Sequence, residues 1–274
     1  MDPGRRPSDP RLAQSQPTGA FGAAAGRRPS ERGRGPEALG PWTLLGELGR
    51  GNFGVVYRAR RDGWPTEVAL KVMPDALRAG PDLVARFRQE AQVGQRLMHP
   101  AIVRVLDHGQ AGPHVWFAME LCQGETLAAR LRRGPLPPLE AARLVATLAR
   151  GVAHAHAHQV LHRDLKPANV MLEPGGPRVA DFGLARDEAR AAALTRTGDV
   201  LGTPLYMAPE QLTGARIDAR IDVWSLGVIL FECVAGQRPF ASADPPTLAR
   251  RITQADAPLL REAAPAAPAA LEAI

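Results

Sequence analysis

The chain has 274 residues, of which 45% are hydrophobic and 23% charged, a composition typical of a soluble globular protein and not of a disordered chain. The net charge of +6 raises the question of nucleic-acid binding, but seven arginines lie in the first 34 residues, where Phe21 is the one aromatic residue available for base stacking. We therefore expect no nucleic-acid partner. Two cysteines, Cys122 and Cys233, are too few for a disulfide framework and favour a reducing compartment, so we expect a cytoplasmic protein.

The first predicted segment is a basic tail. Residues 1–40 are rich in Pro, Gly, Ala, Ser and Arg, and we expect them to be disordered because they cannot bury enough apolar surface to offset the entropy of ordering. No apolar run typical of a signal peptide occurs in this tail. The longest apolar run of the chain, residues 223–235, is interrupted by polar residues and is too short to span a bilayer. It predicts a buried helix, and we expect no membrane segment.

Strand signals begin at Trp42. Short apolar runs bounded by turn residues predict strands, and an apolar face at helical spacing predicts one helix among them. The predicted strands are residues 42–49, 54–60, 67–72, 103–110 and 114–121, and the predicted helix is residues 81–97. Together they predict a small lobe of one sheet and one helix.

After Gly124 the chain is predicted to be mainly helical. The predicted helices are residues 139–158, 218–235 and 246–253. Three histidines, His154, His156 and His158, alternate near the end of the first of these helices. A metal site is one interpretation, but no further ligand of cysteine or carboxylate type is evident, and a histidine run at a helix end is the simpler one.

A glycine-rich loop joins the first two predicted strands. Its Gly-x-Gly-x-x-Gly spacing also occurs in dinucleotide-binding turns. A dinucleotide turn opens a helix, whereas residues 55–59 begin with two valines and continue as a strand. The sequence therefore favours a strand-loop-strand arrangement in which glycines let the backbone close over phosphates. The loop residues are Gly49, Arg50, Gly51, Asn52, Phe53 and Gly54.

Two later clusters carry the residue types that phosphoryl transfer needs. Residues 162–169 read His-Arg-Asp-Leu-Lys-Pro-Ala-Asn, and residues 181–183 read Asp-Phe-Gly. Phosphoryl transfer needs a carboxylate that accepts a hydroxyl proton and oxygen ligands for the metal ions that neutralise the phosphates. With Val-Ala-Leu-Lys at 68–71 and Ala-Pro-Glu at 208–210, the chain resembles a Hanks-type (eukaryotic-like) bacterial serine/threonine protein kinase.

The resemblance implies an α+β, bilobal protein-kinase-like fold. A small antiparallel-sheet N-lobe with one helix would span about residues 41–121, and a mainly helical C-lobe about residues 122–274, with ATP and Mg²⁺ between them. In this family the equivalent of Lys71 contacts the α- and β-phosphates and pairs with a glutamate on the next helix, here Glu90.

The resemblance also implies which residues surround the adenine ring. Met119 would lie at the back of the pocket, and Val56, Ala69 and Met171 would enclose the ring, a role that overlaps with ordinary core packing. The hinge backbone would hydrogen-bond the base through two residues, Glu120 by its carbonyl and Cys122 by its amide.

Catalytic roles follow from the same resemblance. Asp164 would be the base that orients the acceptor hydroxyl, while Asn169 and Asp181 would hold magnesium. Lys166 would neutralise the γ-phosphate, and in this family it accompanies serine/threonine specificity. Asp222 resembles the aspartate that supports the catalytic-loop backbone, since a buried carboxylate needs such partners.

Residues 183–210 resemble an activation segment. Thr195 and Thr197 match paired autophosphorylation sites, whose phosphates Arg163 would bind; a solvated loop threonine is the alternative for each. Thr203 matches the position that faces the substrate. The implied partners are protein substrates and a second copy of the chain for autophosphorylation in trans.

Two features depart from the family pattern. The chain ends at residues 267–274, which resemble the opening of a helix, so the arginine that pairs with the equivalent of Glu210 is missing. This predicts a truncated C-lobe of lower stability. Gly94 stands where the family places an apolar residue that stacks towards Phe182, which predicts a gap and a looser helix. A catalytically impaired nucleotide-binding or scaffolding fragment is therefore the alternative to an active kinase.

Overall fold

A computed structural model describes residues 38–51, 54–73, 80–182, 205–242, 244–254 and 256–273 of the chain. These residues form a lobe built on a β-sheet, followed by a lobe built mainly of helices.

In its described residues, the first lobe is a six-stranded antiparallel sheet with one helix, α1 (Pro81–Arg96). The strands lie side by side in the order β1-β2-β3-β4-β6-β5. They are β1 (Ala38–Leu39), β2 (Trp42–Gly51), β3 (Gly54–Arg60), β4 (Val68–Met73), β5 (Val105–Ala111) and β6 (His114–Glu120). Phe87 of α1 packs against Phe117 of β6 with ring centroids 5.0 Å apart, which anchors the helix to one face of the sheet.

The second lobe has a core between two long helices, α3 (Pro138–Ala157) and α5 (Arg220–Ala235). The other helices in the described part of this lobe are α2 (Leu127–Leu131), α4 (Pro209–Thr213), α6 (Pro245–Gln254), α7 (Leu260–Ala263) and α8 (Ala269–Glu272). A small antiparallel sheet adds β7 (Glu125–Thr126), β8 (Val170–Glu173) and β9 (Gly176–Val179), and a 3-10 turn at Pro167–Asn169 leads into β8.

A parallel β-bridge between Ile102 and Val179 connects the two lobes. The amide of Val103 donates to the carbonyl of Val179, and the amide of Val179 donates to the carbonyl of Ala101, both at 2.8 Å. The segment that follows α1 is thereby tied to β9. The position of residues 180–182 is therefore set from both lobes.

The predicted fold class is confirmed: where the structure describes it, the antiparallel sheet lobe carries one helix, and the second lobe is mainly helical. Most of the predicted element boundaries differ from the observed ones by one or two residues. Strand β1 lies inside the range predicted as tail, where Leu39 pairs with Trp42 of β2. Helix α5 begins two residues later than predicted because the Asp218 carboxylate accepts the Arg220 amide at 2.9 Å, a contact typical of residues that precede a helix.

The prediction that Gly94 leaves a gap is wrong. A Cβ atom built on Gly94 would lie 2.4 Å from Cγ2 of Val105 and 3.2 Å from its Cβ. Helix α1 approaches β5 so closely that the valine side chain fills the space. Glycine at this position permits the close contact.

We expect Gly94→Ala to destabilise the protein by about 1–3 kcal/mol, the usual cost of overpacking, although alanine is the better helix former by about 1 kcal/mol. Gly227→Ala is the matched control, because Gly227 lies within α5 and a Cβ atom built on it would meet no neighbouring side chain within 4 Å. That variant should be stabilised. Urea unfolding of both measures the difference, and stabilisation of both would contradict the close contact.

Candidate active site

Lys71 lies at the centre of a buried ion cluster. Its Nζ donates to Oε1 of Glu90 on α1 at 3.0 Å and to Oδ1 of Asp181 at 2.9 Å. The three side chains are 2–4% exposed. Strand β4 places Lys71 between Val56 on β3 and Phe117 on β6. Segments that are distant in sequence therefore converge on one ammonium group.

Two carboxylates compete for that ammonium. Burial opposes the charge of Lys71, but Asp181 and Glu90 together raise its pKa. Burial raises the pKa of Glu90 to about 7, against the attraction of Lys71, and repulsion from Asp181 adds to the rise. The second oxygen of Glu90, Oε2, is buried without a hydrogen-bond partner among the described residues. Lys71 therefore stays charged, while the pKa of Glu90 lies above its usual value.

The loop after α3 brings the predicted catalytic residues together. Lys166 Nζ donates to Oδ2 of Asp164 at 2.7 Å, and the side chains are 17% and 21% exposed, respectively. Asn169 Nδ2 donates to the backbone oxygen of Asp164 at 2.9 Å. The amide of Ala180 donates to the backbone oxygen of Asn169 at 2.8 Å. Asn169 is thus held beside the residue that precedes Asp181.

A buried carboxylate holds the backbone of this loop. Asp222 on α5 accepts hydrogen bonds from the amides of His162 at 2.8 Å and Arg163 at 2.9 Å, and from Nε2 of His156 on α3 at 2.8 Å. Burial opposes the ionisation of Asp222, but the hydrogen bonds from His156 and from the two backbone amides lower its pKa. Arg163 has a φ of +66°, a costly conformation for a non-glycine residue. The hydrogen bond from its backbone amide to Asp222 helps to hold this conformation.

His162 connects the loop to the aspartate segment. Its Nε2 donates to the carbonyl of Ala180 at 3.0 Å, and its Nδ1 accepts the amide of Asp164 at 3.3 Å. The ring meets Phe182 edge-on, with centroids 4.8 Å apart. Asp181 lies between these contacts at a φ of +62°. The positions of Asp164 and Asp181 are therefore fixed relative to each other.

The four apolar residues predicted around adenine lie in one buried cluster. They are Val56, Ala69, Met119 and Met171. Three come from the large sheet, where Ala69 and Met119 are partners in register, and Met171 comes from β8 of the other lobe. Glu120 ends β6, and its amide donates to the carbonyl of Arg104 at 3.0 Å. The structure therefore brings the predicted adenine residues together.

The glycine-rich loop is described in part. The described members are Gly49, Arg50, Gly51 and Gly54. Gly54 has a φ of +144°, and a Cβ there would lie 2.1 Å from the carbonyl oxygen of Val72. Close approach of β3 to β4 thus requires this glycine, a reason that the motif did not indicate. Outside the described residues lie Asn52, Phe53, Gly183, Thr195, Thr197 and Thr203.

Sequence reasoning missed two residues that support the catalytic loop. His156 bonds Asp222, as above, and Gln211 on α4 donates from Nε2 to the carbonyl of Arg163 at 3.0 Å while its Oε1 accepts the amide of Ala208 at 3.0 Å. Gln211 is buried, and a buried polar side chain needs a partner, but its burial is visible only in the structure. The sequence could not indicate which partner.

The three alternating histidines have different surroundings. The rings of His154 and His158 lie 4.5 Å apart, whereas His156 is turned to Asp222. Across the described part of the chain, no group of three or more His, Cys, Asp and Glu side chains is arranged to hold a metal ion. The metal interpretation of the histidine run therefore gains no support.

The donor chemistry of the site fits a magnesium nucleotide. Asp181 supplies a carboxylate, and the carboxamide oxygen of Asn169 receives no hydrogen bond from the described residues. Magnesium prefers such oxygen ligands and is commonly held by one or two protein groups together with substrate phosphates. Asn169 and Asp181 are therefore suited to hold it with ATP.

The arrangement of two lobes around a buried lysine–carboxylate cluster defines a kinase-like protein, and comparison with known proteins identifies the family. The family model described as protein kinase domain matches residues 42–267. The chain belongs to this family.

Curated relatives and a solved structure support the predicted resemblance, which is confirmed. The chain is 38% identical to serine/threonine-protein kinase pkn2 of Myxococcus xanthus over 83% of its length, and 44% identical to serine/threonine-protein kinase PkaA of Streptomyces coelicolor over 74%. It spans 29% and 40% of the lengths of these two relatives. The crystal structure of the PknI kinase domain (C20A mutant) of Mycobacterium tuberculosis superposes with a TM-score of 0.65 at 29% identity, covering 83% of both chains.

Within the described ranges, none of the helices combines the length and the apolar character needed to cross a membrane.

Proposed function

We propose that this chain is a serine/threonine protein kinase that transfers the γ-phosphate of ATP to hydroxyl groups of proteins. The observation that carries the proposal is the ammonium group of Lys71, which Glu90 and Asp181 share at 3.0 and 2.9 Å. The two relatives described above are named serine/threonine-protein kinases, and Lys166 is the residue that accompanies this specificity in the family.

ATP would bind between the lobes with its base in the apolar cluster. The carbonyl of Glu120 and the amide of Cys122 would hydrogen-bond the adenine, and Lys71 would bind phosphate oxygens while Glu90 orients it. Because Lys71 is buried and charged, its attraction for phosphate is screened little by solvent.

In the transfer step, Asp164 would accept the proton of the acceptor hydroxyl. The hydroxyl oxygen forms a bond to the γ-phosphorus, and the bond from that phosphorus to the β–γ bridging oxygen breaks, so that ADP leaves. Lys166, 2.7 Å from Asp164, would neutralise charge on the transferred group. Magnesium held by Asn169 and Asp181 would supply further positive charge to the phosphates.

Regulation through the activation segment is part of the proposal. Phosphates on Thr195 and Thr197 would bind Arg163, whose backbone is held by Asp222 and Gln211. Phosphorylation in trans would require two copies of the chain to meet, with Thr203 facing the acceptor in each.

Incubation with Mg²⁺ and ATP, followed by intact-mass measurement and peptide mapping, tests the function. We expect phosphate on serine or threonine residues of the chain or of an added protein substrate. Nucleotide binding without any incorporation would instead support the alternative, a catalytically impaired nucleotide-binding or scaffolding fragment.

A further inference from the structure

Arg178 is absent from the set of residues predicted for the site, yet its guanidinium group joins three segments around the hinge. Nη2 donates to the backbone oxygen of Ile102 at 2.9 Å and to the carboxylate of Glu120, and Nη1 donates to Oε2 of Glu173 at 3.2 Å. The acceptors belong to the segment after α1, the end of β6 and the end of β8. A single side chain therefore connects both lobes where the chain passes between them.

Glu173 extends this contact to the hinge backbone. Its second oxygen, Oε1, accepts the amide of Gln123 at 3.0 Å. Burial, reinforced by the Glu173 carboxylate, raises the pKa of the Cys122 thiol to about 12, so the thiol is neutral at physiological pH. Arg178 therefore contacts one end of the hinge directly, through the Glu120 carboxylate. It reaches the other end through Glu173, which accepts the Gln123 amide.

The register of β9 places Arg178 near the floor of the adenine cluster. Arg178 is the cross-strand partner of Met171 on β8, and directly opposed residues of an antiparallel pair lie on the same face. Met171 belongs to the buried cluster predicted to hold the base. Three residues after Arg178 the chain reaches Asp181, which bonds Lys71.

We propose that Arg178 is a positioning residue for adenine binding, which sets the backbone of residues 120–123 so that the Glu120 carbonyl and the Cys122 amide meet the base. This inference rests on the proposed function in taking ATP as the ligand. Bonds between a guanidinium and carboxylates are stronger than neutral hydrogen bonds. A planar guanidinium also serves several acceptors in a fixed geometry, which a lysine ammonium does not reproduce.

The test compares Arg178→Met with the unchanged chain in direct nucleotide binding and in kinetics. We expect the Kd of Mg-ATP and the KM for ATP to rise about tenfold, the equivalent of 1.4 kcal/mol, with kcat at saturating ATP changed much less. The Kd of adenosine should rise by the same factor, whereas that of tripolyphosphate should not change, because Lys71 binds phosphate oxygens. Arg178→Lys should restore part of the affinity, since it keeps the charge.

Arg61→Met is the matched control. Arg61 is also partly buried and bonds a carboxylate, Asp107, at 3.0 Å, but it packs on Trp42 and Trp64 of the sheet lobe. Its nucleotide affinities should equal those of the unchanged chain. Glu173→Gln provides a second variant if Arg178→Met does not fold, and should raise the Kd of adenosine and not that of tripolyphosphate.

Unchanged adenosine affinity in a folded Arg178 or Glu173 variant would overturn the positioning role, as would equal weakening of adenosine and tripolyphosphate. The two proposals fail differently. A chain that binds ATP without transferring phosphate overturns the proposed function alone, because the role of Arg178 is judged by binding. A chain that binds no ATP overturns both.

Discussion

Replacing Asp164 with asparagine is expected to lower kcat for phosphoryl transfer by about 10²- to 10⁴-fold, the usual contribution of a general base. Asparagine has nearly the same shape and keeps an oxygen that can accept the Lys166 bond seen at 2.7 Å, but it cannot accept the hydroxyl proton. The Kd of Mg-ATP should stay close to that of the unchanged chain. Single-turnover transfer from labelled ATP measures the loss.

Asp218→Asn is the matched control for this experiment. Asp218 is likewise a carboxylate paired with a basic side chain, Arg220 at 2.7 Å, but it lies at the exposed start of α5. Its variant should transfer phosphate at the rate of the unchanged chain. Retention of full activity in Asp164→Asn would remove Asp164 as the base, and with it the proposed transfer step.

Replacing Asp222 with alanine is expected to destabilise the protein by about 3–5 kcal/mol, the cost typical of breaking a buried charged network. Two amides, those of His162 and Arg163, and the ring of His156 would lose their acceptor in a buried place. Transfer activity should fall as well, because the backbone of His162 and Arg163, the two residues that precede Asp164, loses its support. Thermal and urea unfolding measure the first effect.

Asp244→Ala serves as the control for the stability effect. The Asp244 carboxylate also accepts a backbone amide, that of Thr247 at 2.9 Å, but in an exposed position at the start of α6. We expect a much smaller loss there. Equal losses in the two variants would show that burial of Asp222 contributes nothing.

The lowered pKa of Asp222 also predicts that its contribution to stability declines in acid. A carboxylate whose pKa is lower in the folded state stabilises the protein above its unfolded pKa, about 4, and loses this effect as the pH falls through the folded value. The difference in unfolding free energy between the unchanged chain and Asp222→Asn should therefore be constant above about pH 4 and narrow below it. An equal difference at pH 7 and pH 3 would contradict this.

The sequence motifs indicated most of the site but not its supporting contacts. Lys71, Asp164 and Asp181 were predicted because they occupy motif positions, and the structure brings Lys71 and Asp181 into contact although 110 residues separate them. His156 and Arg178 carry no motif. Each is identified by its partners, which lie 66 residues from His156 and as far as 76 residues from Arg178.

Packing explains the wrong prediction at Gly94. Helix propensity and the family pattern both indicated a loosened helix with a cavity beside it. The neighbour that fills the space, Val105, comes from β5. Neither helix propensity nor the family pattern indicates how closely α1 approaches β5. A glycine can mark an empty space or a close contact, and only the neighbouring element distinguishes the two.

The amino-acid sequence by itself determined the class of fold, the order of the two lobes and the residues proposed to bind phosphate, because these depend on periodicity and on motifs that are local in the chain. Only the tertiary structure decided how Glu90 and Asp181 share one lysine, which groups hold Asp222, and how Arg178 joins the hinge to β9. These contacts arise between distant segments, so burial and charge at each residue depend on the partner that folding brings to it.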